Sequence, residues 1–151
     1  MTPNFSDLLA ARYVSLDLAA RSVQAAIEDL ARLLADHPAM VGAERFAAEV
    51  WEREQLSTTA LGSGVAFPHA RTSQVREIVL AVGRSAEGIV FPGTDERVHL
   101  IFLLGTPLDR AAQYLALVAR LARLLKNEAI RTQLLTAPDA DTFLHVLQSG
   151  G

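Results

Sequence analysis

Two apolar runs constrain the fold of this chain more than any other feature. Residues 78–83 form the first run and residues 98–104 the second, in which His99 is the one polar side chain. A strand that is apolar along its whole length is typical of a sheet covered on both faces. We therefore predict two buried strands in a helix-flanked sheet. Residues 89–91, which precede Pro92, predict a short edge strand or a bulge.

Apolar residues recur at helical spacing on either side of these runs. The predicted helices span residues 21–36, 43–54, 109–126 and 128–136, with a last helix that opens at Pro138-Asp139. Shorter strands are predicted at residues 13–16 and 65–67, and a loop at residues 57–64. Helices before and after a set of buried strands indicate a three-layer α/β or α+β domain. No repeat or linker divides the chain, so we expect one domain over residues 1–151.

The composition excludes several kinds of chemistry. The 151 residues carry 14 basic and 17 acidic side chains, a formal charge of −3, and no cysteine. A chain without a basic face is not expected to bind nucleic acid, and one without cysteine has no disulfide or thiolate nucleophile. Residues 1–7 lack the features of a signal peptide, and no apolar run reaches the ~18 residues of a membrane helix. We expect a cytoplasmic protein that does not insert into membranes.

The four histidines are the natural proton carriers or nucleophiles of a chain without cysteine. His37 precedes Pro38 at a helix end, which favours a capping or surface role. His145 lies on the last predicted helix and is interpreted as structural. His99 interrupts an apolar strand, where we expect one ring nitrogen to be hydrogen-bonded. The histidines lie about thirty or more residues apart, with no paired spacing that would favour a metal site, and we expect neither metal nor cofactor.

His69 has the neighbourhood of an anion site. Gly62-Ser63-Gly64 can bring backbone N–H groups close to an anion, and Pro68 fixes the backbone just before the histidine. Arg71 and Arg53 could hold phosphoryl oxygens while a ring nitrogen attacks phosphorus. The alternative is a glycine turn before an edge strand, with a histidine exposed by chance. Spacing alone favours that alternative, and Ser63 lacks the glycine elbow of a hydrolase nucleophile.

The longer stretch from Arg53 to Arg71 resembles the signature of enzyme IIA domains of the fructose/mannitol type. These domains belong to the bacterial phosphoenolpyruvate-dependent sugar phosphotransferase system, and nitrogen-regulatory enzyme IIA proteins share the pattern. The likeness continues through residues 79–84, 88–91 and 98–104 and into the C-terminal helices. It implies a mixed central β-sheet with helices on both faces.

The resemblance also implies roles for individual residues. His69 would accept a phosphoryl group from the phosphohistidine of HPr, the small carrier protein, or of a paralogue. The group would then pass to a cysteine of an enzyme IIB. Arg53 would steady the phosphoryl oxygens, and Thr58 and the Gly62–Gly64 loop would line the same pocket, which Arg71 could also reach.

One position departs from the family pattern. Relatives usually carry a second histidine near the start of the long C-terminal helix, where this chain has Tyr114. Near neutral pH a phenol can donate one hydrogen bond but cannot become a cation, as imidazole can. We expect Tyr114 to border the pocket and to alter or slow phosphoryl transfer. Three functions stay open: a sugar phosphocarrier, a nitrogen-related regulator that binds a target protein according to its phosphorylation, and a binding module without efficient transfer.

Overall fold

The computed structural model describes residues 8–150, in which helices pack on a mixed β-sheet. The strands are β1 (Val14–Ser15), β2 (Ala60–Gly62), β3 (Val65–Ala66), β4 (His69–Arg71), β5 (Val79–Val90) and β6 (Arg97–Thr106). The helices are a 3-10 turn (Ala11–Tyr13), α1 (Val23–Leu33), α2 (Ala43–Leu56), α3 (Ala111–Leu125), α4 (Glu128–Thr136) and α5 (Ala140–Gly150). Residues 1–7 and 151 lie outside the described residues, so a single domain over residues 1–151 stays a prediction.

The two apolar runs become the central antiparallel pair, β5 and β6. Leu80 lies opposite Leu104, and Val82 lies opposite Phe102. Residues 101–104 are completely buried. Because successive side chains of a strand point to opposite faces, this continuous burial means that both faces of the sheet are covered. The predicted fold class, a mixed sheet flanked by helices, is confirmed.

The two faces are covered by different helices. A Cβ atom added to Gly105 would lie 2.8 Å from the Phe46 ring of α2, so this face of β6 lies against α2. Val79, the partner of Gly105, is five residues from Arg84, and an odd separation along a strand places them on opposite faces. Arg84 donates to the carbonyl of Leu134 in α4 at 3.0 Å. The C-terminal helices therefore cover the second face.

The other strands attach to this pair. β1 is parallel to β5, whereas β3 and β4 are both parallel to β6, and β2 is antiparallel to β3. Two of these strands were not predicted. The expected loop at residues 57–64 contains β2, whose side chains are too exposed to give an apolar pattern. After Pro68 the chain returns to the sheet as β4, since residues 69–71 pair with residues 104–106.

A bulge in β5 explains the third apolar segment and His99. The pairing of β5 with β6 shifts between Arg84 and Ile89, so residues 89 and 90 continue β5 beyond the bulge. The Nδ1 of His99 donates to the Ser85 carbonyl at 2.8 Å, and the Ser85 hydroxyl accepts from the Gly88 N–H at 3.0 Å. The His99 ring thus satisfies a carbonyl that the bulge removes from the ladder, in agreement with the expected hydrogen bond.

We predict that Gly105→Ala destabilises the fold. The added methyl group would lie 2.8 Å from Phe46 and 3.0 Å from Val79, closer than carbon atoms pack. Overpacking of this kind costs about 1–3 kcal/mol. Urea denaturation followed by circular dichroism should show a lower midpoint with an unchanged slope. A midpoint equal to that of the wild type would contradict the close approach of α2 to β6.

Candidate active site

A cleft of about 540 Å³ lies where the end of α2, the strand β4 and the start of α3 meet. Four residues that the sequence predicts as site residues line it: Arg53, His69, Arg71 and Tyr114. Arg53 lies in the last turn of α2, and Tyr114 lies in the first turns of α3. The fold thus brings together side chains that are up to 61 positions apart in the sequence (114 − 53).

The His69 ring is held by its own main chain. Its Nδ1 lies 3.0 Å from the Phe67 carbonyl oxygen. A carbonyl can only accept a hydrogen bond, so Nδ1 carries a proton, and in the neutral imidazole the lone pair is then on Nε2. Pro68 restricts the backbone between the two residues. The cleft is therefore lined by an imidazole in the tautomer that makes Nε2 the nucleophilic atom.

Tyr114 packs beside this ring. The ring centroids of His69 and Tyr114 lie 5.2 Å apart, with an interplanar angle of 38°. Burial raises the pKa of Tyr114 from 10.0 to about 12, and the positive charge of Arg53 acts in the opposite direction. The phenol is therefore a neutral hydrogen-bond donor at physiological pH. Among residues 8–150 its hydroxyl has no hydrogen-bond partner, which leaves the donor available to a ligand of the cleft.

Arg53 and Arg71 also have hydrogen-bond donors available to a ligand of the cleft. Within the described part of the chain, the guanidinium groups of Arg53 and Arg71 make no hydrogen bond or ion pair. Arg71 lies two residues after His69 on the same strand, so both side chains leave the same face of β4. A guanidinium presents several N–H donors in a planar fork that matches a phosphoryl group. The site can therefore hold an anion beside Nε2 of His69.

The structure does not bring the Gly62–Gly64 turn, which includes Ser63, to this cleft. The Gly64 N–H donates to the carboxylate of Glu96, so an internal side chain occupies the anion-binding backbone. The Gly64 carbonyl accepts from Leu100, whereas His69 lies opposite Leu104. Four residues of β6 separate the two points, about 13 Å along the strand. The glycines shape a left-handed turn between β2 and β3.

Thr58 is also absent from the cleft lining. Its hydroxyl oxygen accepts from the Ala60 N–H at 3.2 Å and so shapes the turn that follows α2. The resemblance placed Thr58 in the pocket because Thr58 matches a position that lines the pocket in that family. Such a match does not fix the direction of a side chain in an irregular segment.

The sequence interpretation missed seven of the residues that line the cleft, and four of these are charged or exposed apolar residues. Glu49, Glu52 and Leu56 share one face of α2 with Arg53, and Leu115 follows Tyr114 on α3. Their spacing of three and four residues along α2 is the signal that could have found them. The two carboxylates formally cancel the charges of the two arginines, and Leu56 and Leu115 are 79% and 64% exposed. The cleft thus combines exposed apolar side chains with charged residues, of which Glu52, Arg53 and Arg71 are also exposed.

His37 and His145 do not line the cleft. The Nδ1 of His37 accepts from the Ala39 N–H at 2.9 Å, and burial together with the Arg12 guanidinium lowers the pKa of its ring. This bond closes a turn beyond the end of α1, which ends at Leu33, so His37 does not cap the helix. His145 is exposed on α5. Over residues 8–150 the structure shows neither a cluster of metal-ligating side chains nor a helix long and apolar enough to cross a membrane.

Comparison with known proteins gives one consistent result. Residues 7–150 match the family described as "Phosphoenolpyruvate-dependent sugar phosphotransferase system, EIIA 2". The chain is 35% identical to the nitrogen regulatory protein of Bradyrhizobium diazoefficiens over 145 residues, 94% of this chain and 93% of that protein. It is 27% identical to the fructose-specific EIIABC component of Bacillus subtilis over 143 residues, 94% of this chain but only 22% of that longer protein.

Solved structures give the same fold. The nitrogen regulatory protein IIA-Ntr of Neisseria meningitidis superposes with a TM-score of 0.86 at 28% identity, covering 93% of this chain and 97% of that one. The IIA chain in a complex of enzyme IIA with phosphorylated enzyme IIB for mannitol, from Escherichia coli, gives a TM-score of 0.82 at 19% identity, with coverages of 93% and 97%. At that lower identity the likeness shows the fold alone.

We predict that Tyr114 ionises near pH 12, because burial raises its pKa to about 12. The folded chain then holds this proton more tightly than the unfolded chain does. The resulting stabilisation is present below the ordinary value of 10.0 and is lost as the pH rises through the folded value. A tyrosinate absorbance titration, with circular dichroism to confirm folding, should show a late transition that Tyr114→Phe removes. A Tyr114 transition near pH 10 in the folded protein would contradict the burial of this phenol.

Proposed function

We propose that His69 carries a phosphoryl group in this chain, which belongs to the EIIA 2 family of the phosphoenolpyruvate-dependent sugar phosphotransferase system. The observation that carries the proposal is the hydrogen bond between the Nδ1 of His69 and the Phe67 carbonyl. In the neutral imidazole this bond makes Nε2 the nucleophilic atom, in a cleft that two arginines also line. The family supplies phosphotransferase components, and His69 is the residue of this chain with the chemistry for that role.

The transfer can be written in two balanced steps. First, the lone pair of Nε2 attacks the phosphorus of a phosphohistidine on HPr or a paralogue. The new N–P bond forms as the donor N–P bond breaks, and the bonding electrons return to the donor imidazole. Second, the thiolate of an enzyme IIB cysteine attacks the same phosphorus, and the electron pair of the breaking bond returns to Nε2 of His69. The proton on Nδ1 stays there throughout, hydrogen-bonded to the Phe67 carbonyl.

The charges of the cleft support this chemistry. A phosphoryl group on His69 adds about two negative charges, and such a group is stabilised by fixed donors that need no rearrangement. Arg53 and Arg71 can each donate to its oxygens, and the Tyr114 hydroxyl can donate one further hydrogen bond. The acceptor thiolate requires a reducing compartment, so we place this exchange in the cytoplasm.

The second candidate function is regulation. The similarity to nitrogen regulatory proteins supports a chain whose phosphorylation at His69 governs binding to a target protein. The pocket is the same for both functions, and the partner differs. A third function, binding without efficient transfer, has its support in the replacement of the family's second histidine by Tyr114.

The first experiment tests phosphoryl uptake. The protein is incubated with phosphoenolpyruvate, enzyme I and HPr, and its intact mass is measured. We expect one acid-labile phosphoryl adduct on the wild type and none on His69→Ala, because the alanine has no nucleophile. A wild type that takes up no phosphoryl group from any HPr-type donor would favour the binding module without transfer.

The second experiment tests the role of the arginine. Arg53→Ala should slow phosphoryl uptake by roughly 10²-fold, the usual effect of removing one charge-stabilising donor. Arg53→Lys should recover part of the rate, since it restores the charge but not the planar fork. Arg32→Ala is the matched control, because Arg32 lies on α1 in an exposed ion pair with Asp29. Equal rates for Arg53→Ala and the control would exclude a role for Arg53 in the transfer.

A further inference from the structure

One buried carboxylate has no part in the transfer described above. Glu54 lies in the last turn of α2, next to Arg53, and is 1% exposed. Its two oxygens both accept hydrogen bonds from Thr59, one from the backbone N–H at 2.8 Å and one from the hydroxyl at 2.6 Å. Burial of an ionised carboxylate costs free energy, and the two short hydrogen bonds from Thr59 offset part of that cost.

The contacts continue from Thr59 to the cleft. The Thr59 carbonyl accepts from the Phe67 N–H at 3.3 Å. The Phe67 carbonyl in turn accepts from the Nδ1 of His69 at 3.0 Å. Contiguous hydrogen-bonded residues therefore join Glu54, in the helix, to the ring of His69. They hold both ends of the segment between α2 and β4, which otherwise contains only the short strands β2 and β3.

We propose that Glu54 is a positioning residue that fixes the tautomer of His69 through Thr59 and Phe67. This inference rests on the proposed function, in which Nε2 of His69 is the nucleophile. Because a carboxylate only accepts hydrogen bonds, it directs both donors of Thr59 toward α2. That orientation leaves the Thr59 carbonyl facing Phe67 and keeps the Phe67 carbonyl at Nδ1. A glutamine would offer one acceptor and one donor, and Thr59 would have to turn its hydroxyl around.

The test measures the tautomer itself, in the unphosphorylated protein. Heteronuclear NMR of the histidine ring nitrogens reports which nitrogen carries the proton, and the spectrum of His69→Ala assigns the signals. The variants are Glu54→Gln and Thr59→Val, the second of which removes only the hydroxyl bond. Glu44→Gln is the matched control, since Glu44 is exposed in the first turn of the same helix.

We expect the wild type to hold the proton on Nδ1. Glu54→Gln and Thr59→Val should each move the tautomer ratio of His69 about fivefold toward the Nε2–H form, the change that corresponds to one ordinary hydrogen bond. The double variant should show less than the product of the two changes, because both act through the same contacts. Glu44→Gln should leave the ratio unchanged.

An unchanged tautomer ratio in folded Glu54→Gln and Thr59→Val would overturn the proposal, whatever their stability. If Glu54→Gln does not fold, Thr59→Val decides alone by the same criterion. Phosphoryl uptake is measured separately. A tautomer shift in the variants of a wild type that takes up no phosphoryl group would contradict the proposed function but uphold the role of Glu54. The reverse result would contradict the role of Glu54 alone.

Discussion

The antiparallel pairing of β5 with β6 is the interaction on which the rest of the molecule depends. β1 joins β5, β3 and β4 join β6, and β2 joins the sheet only through β3. The position at which each short strand meets β6 therefore decides what lies at the site. β4 meets β6 at Leu104, near its end, where the last turns of α2 and the first turns of α3 also arrive. The cleft forms where these three elements meet.

The pairing of β3 and β4 with β6 separates the glycine turn from His69, although in the sequence the two look like one motif. The glycine turn and His69 are five residues apart in the chain (69 − 64), yet they lie at different points along β6. A glycine-rich turn can bind any anion, and here the nearest anion is the carboxylate of Glu96. The phosphoryl oxygens are left to side chains, so Arg53, Arg71 and Tyr114 would have to supply what the backbone does not.

The sequence predicts most of the fold because buried apolar residues form recognisable patterns along helices and strands. The buried strands and the helices follow from apolar spacing, and α4 matches its predicted bounds, residues 128–136. β2 and β4 show no such apolar pattern, since each has three residues and partly exposed side chains. Glu54 lies in the stretch from Arg53 to Arg71, but the sequence alone assigns it no role. Its effect depends on Thr59 and Phe67, which lie in an irregular segment. Contacts of that kind are set by the tertiary structure.

A phosphoryl group on His69 would change the charge of the cleft but not the apolar side chains at its rim. Leu56 and Leu115 are exposed at its rim, and the charges of the two carboxylates and two guanidiniums that line it formally cancel. A phosphoryl group on His69 would leave a net charge of about −2. The same apolar rim could then contact a phosphoryl donor and an acceptor in turn. A partner that repels or attracts this dianion would distinguish the phosphorylated protein from the unphosphorylated protein by its charge. A sugar phosphocarrier and a regulator both require that distinction.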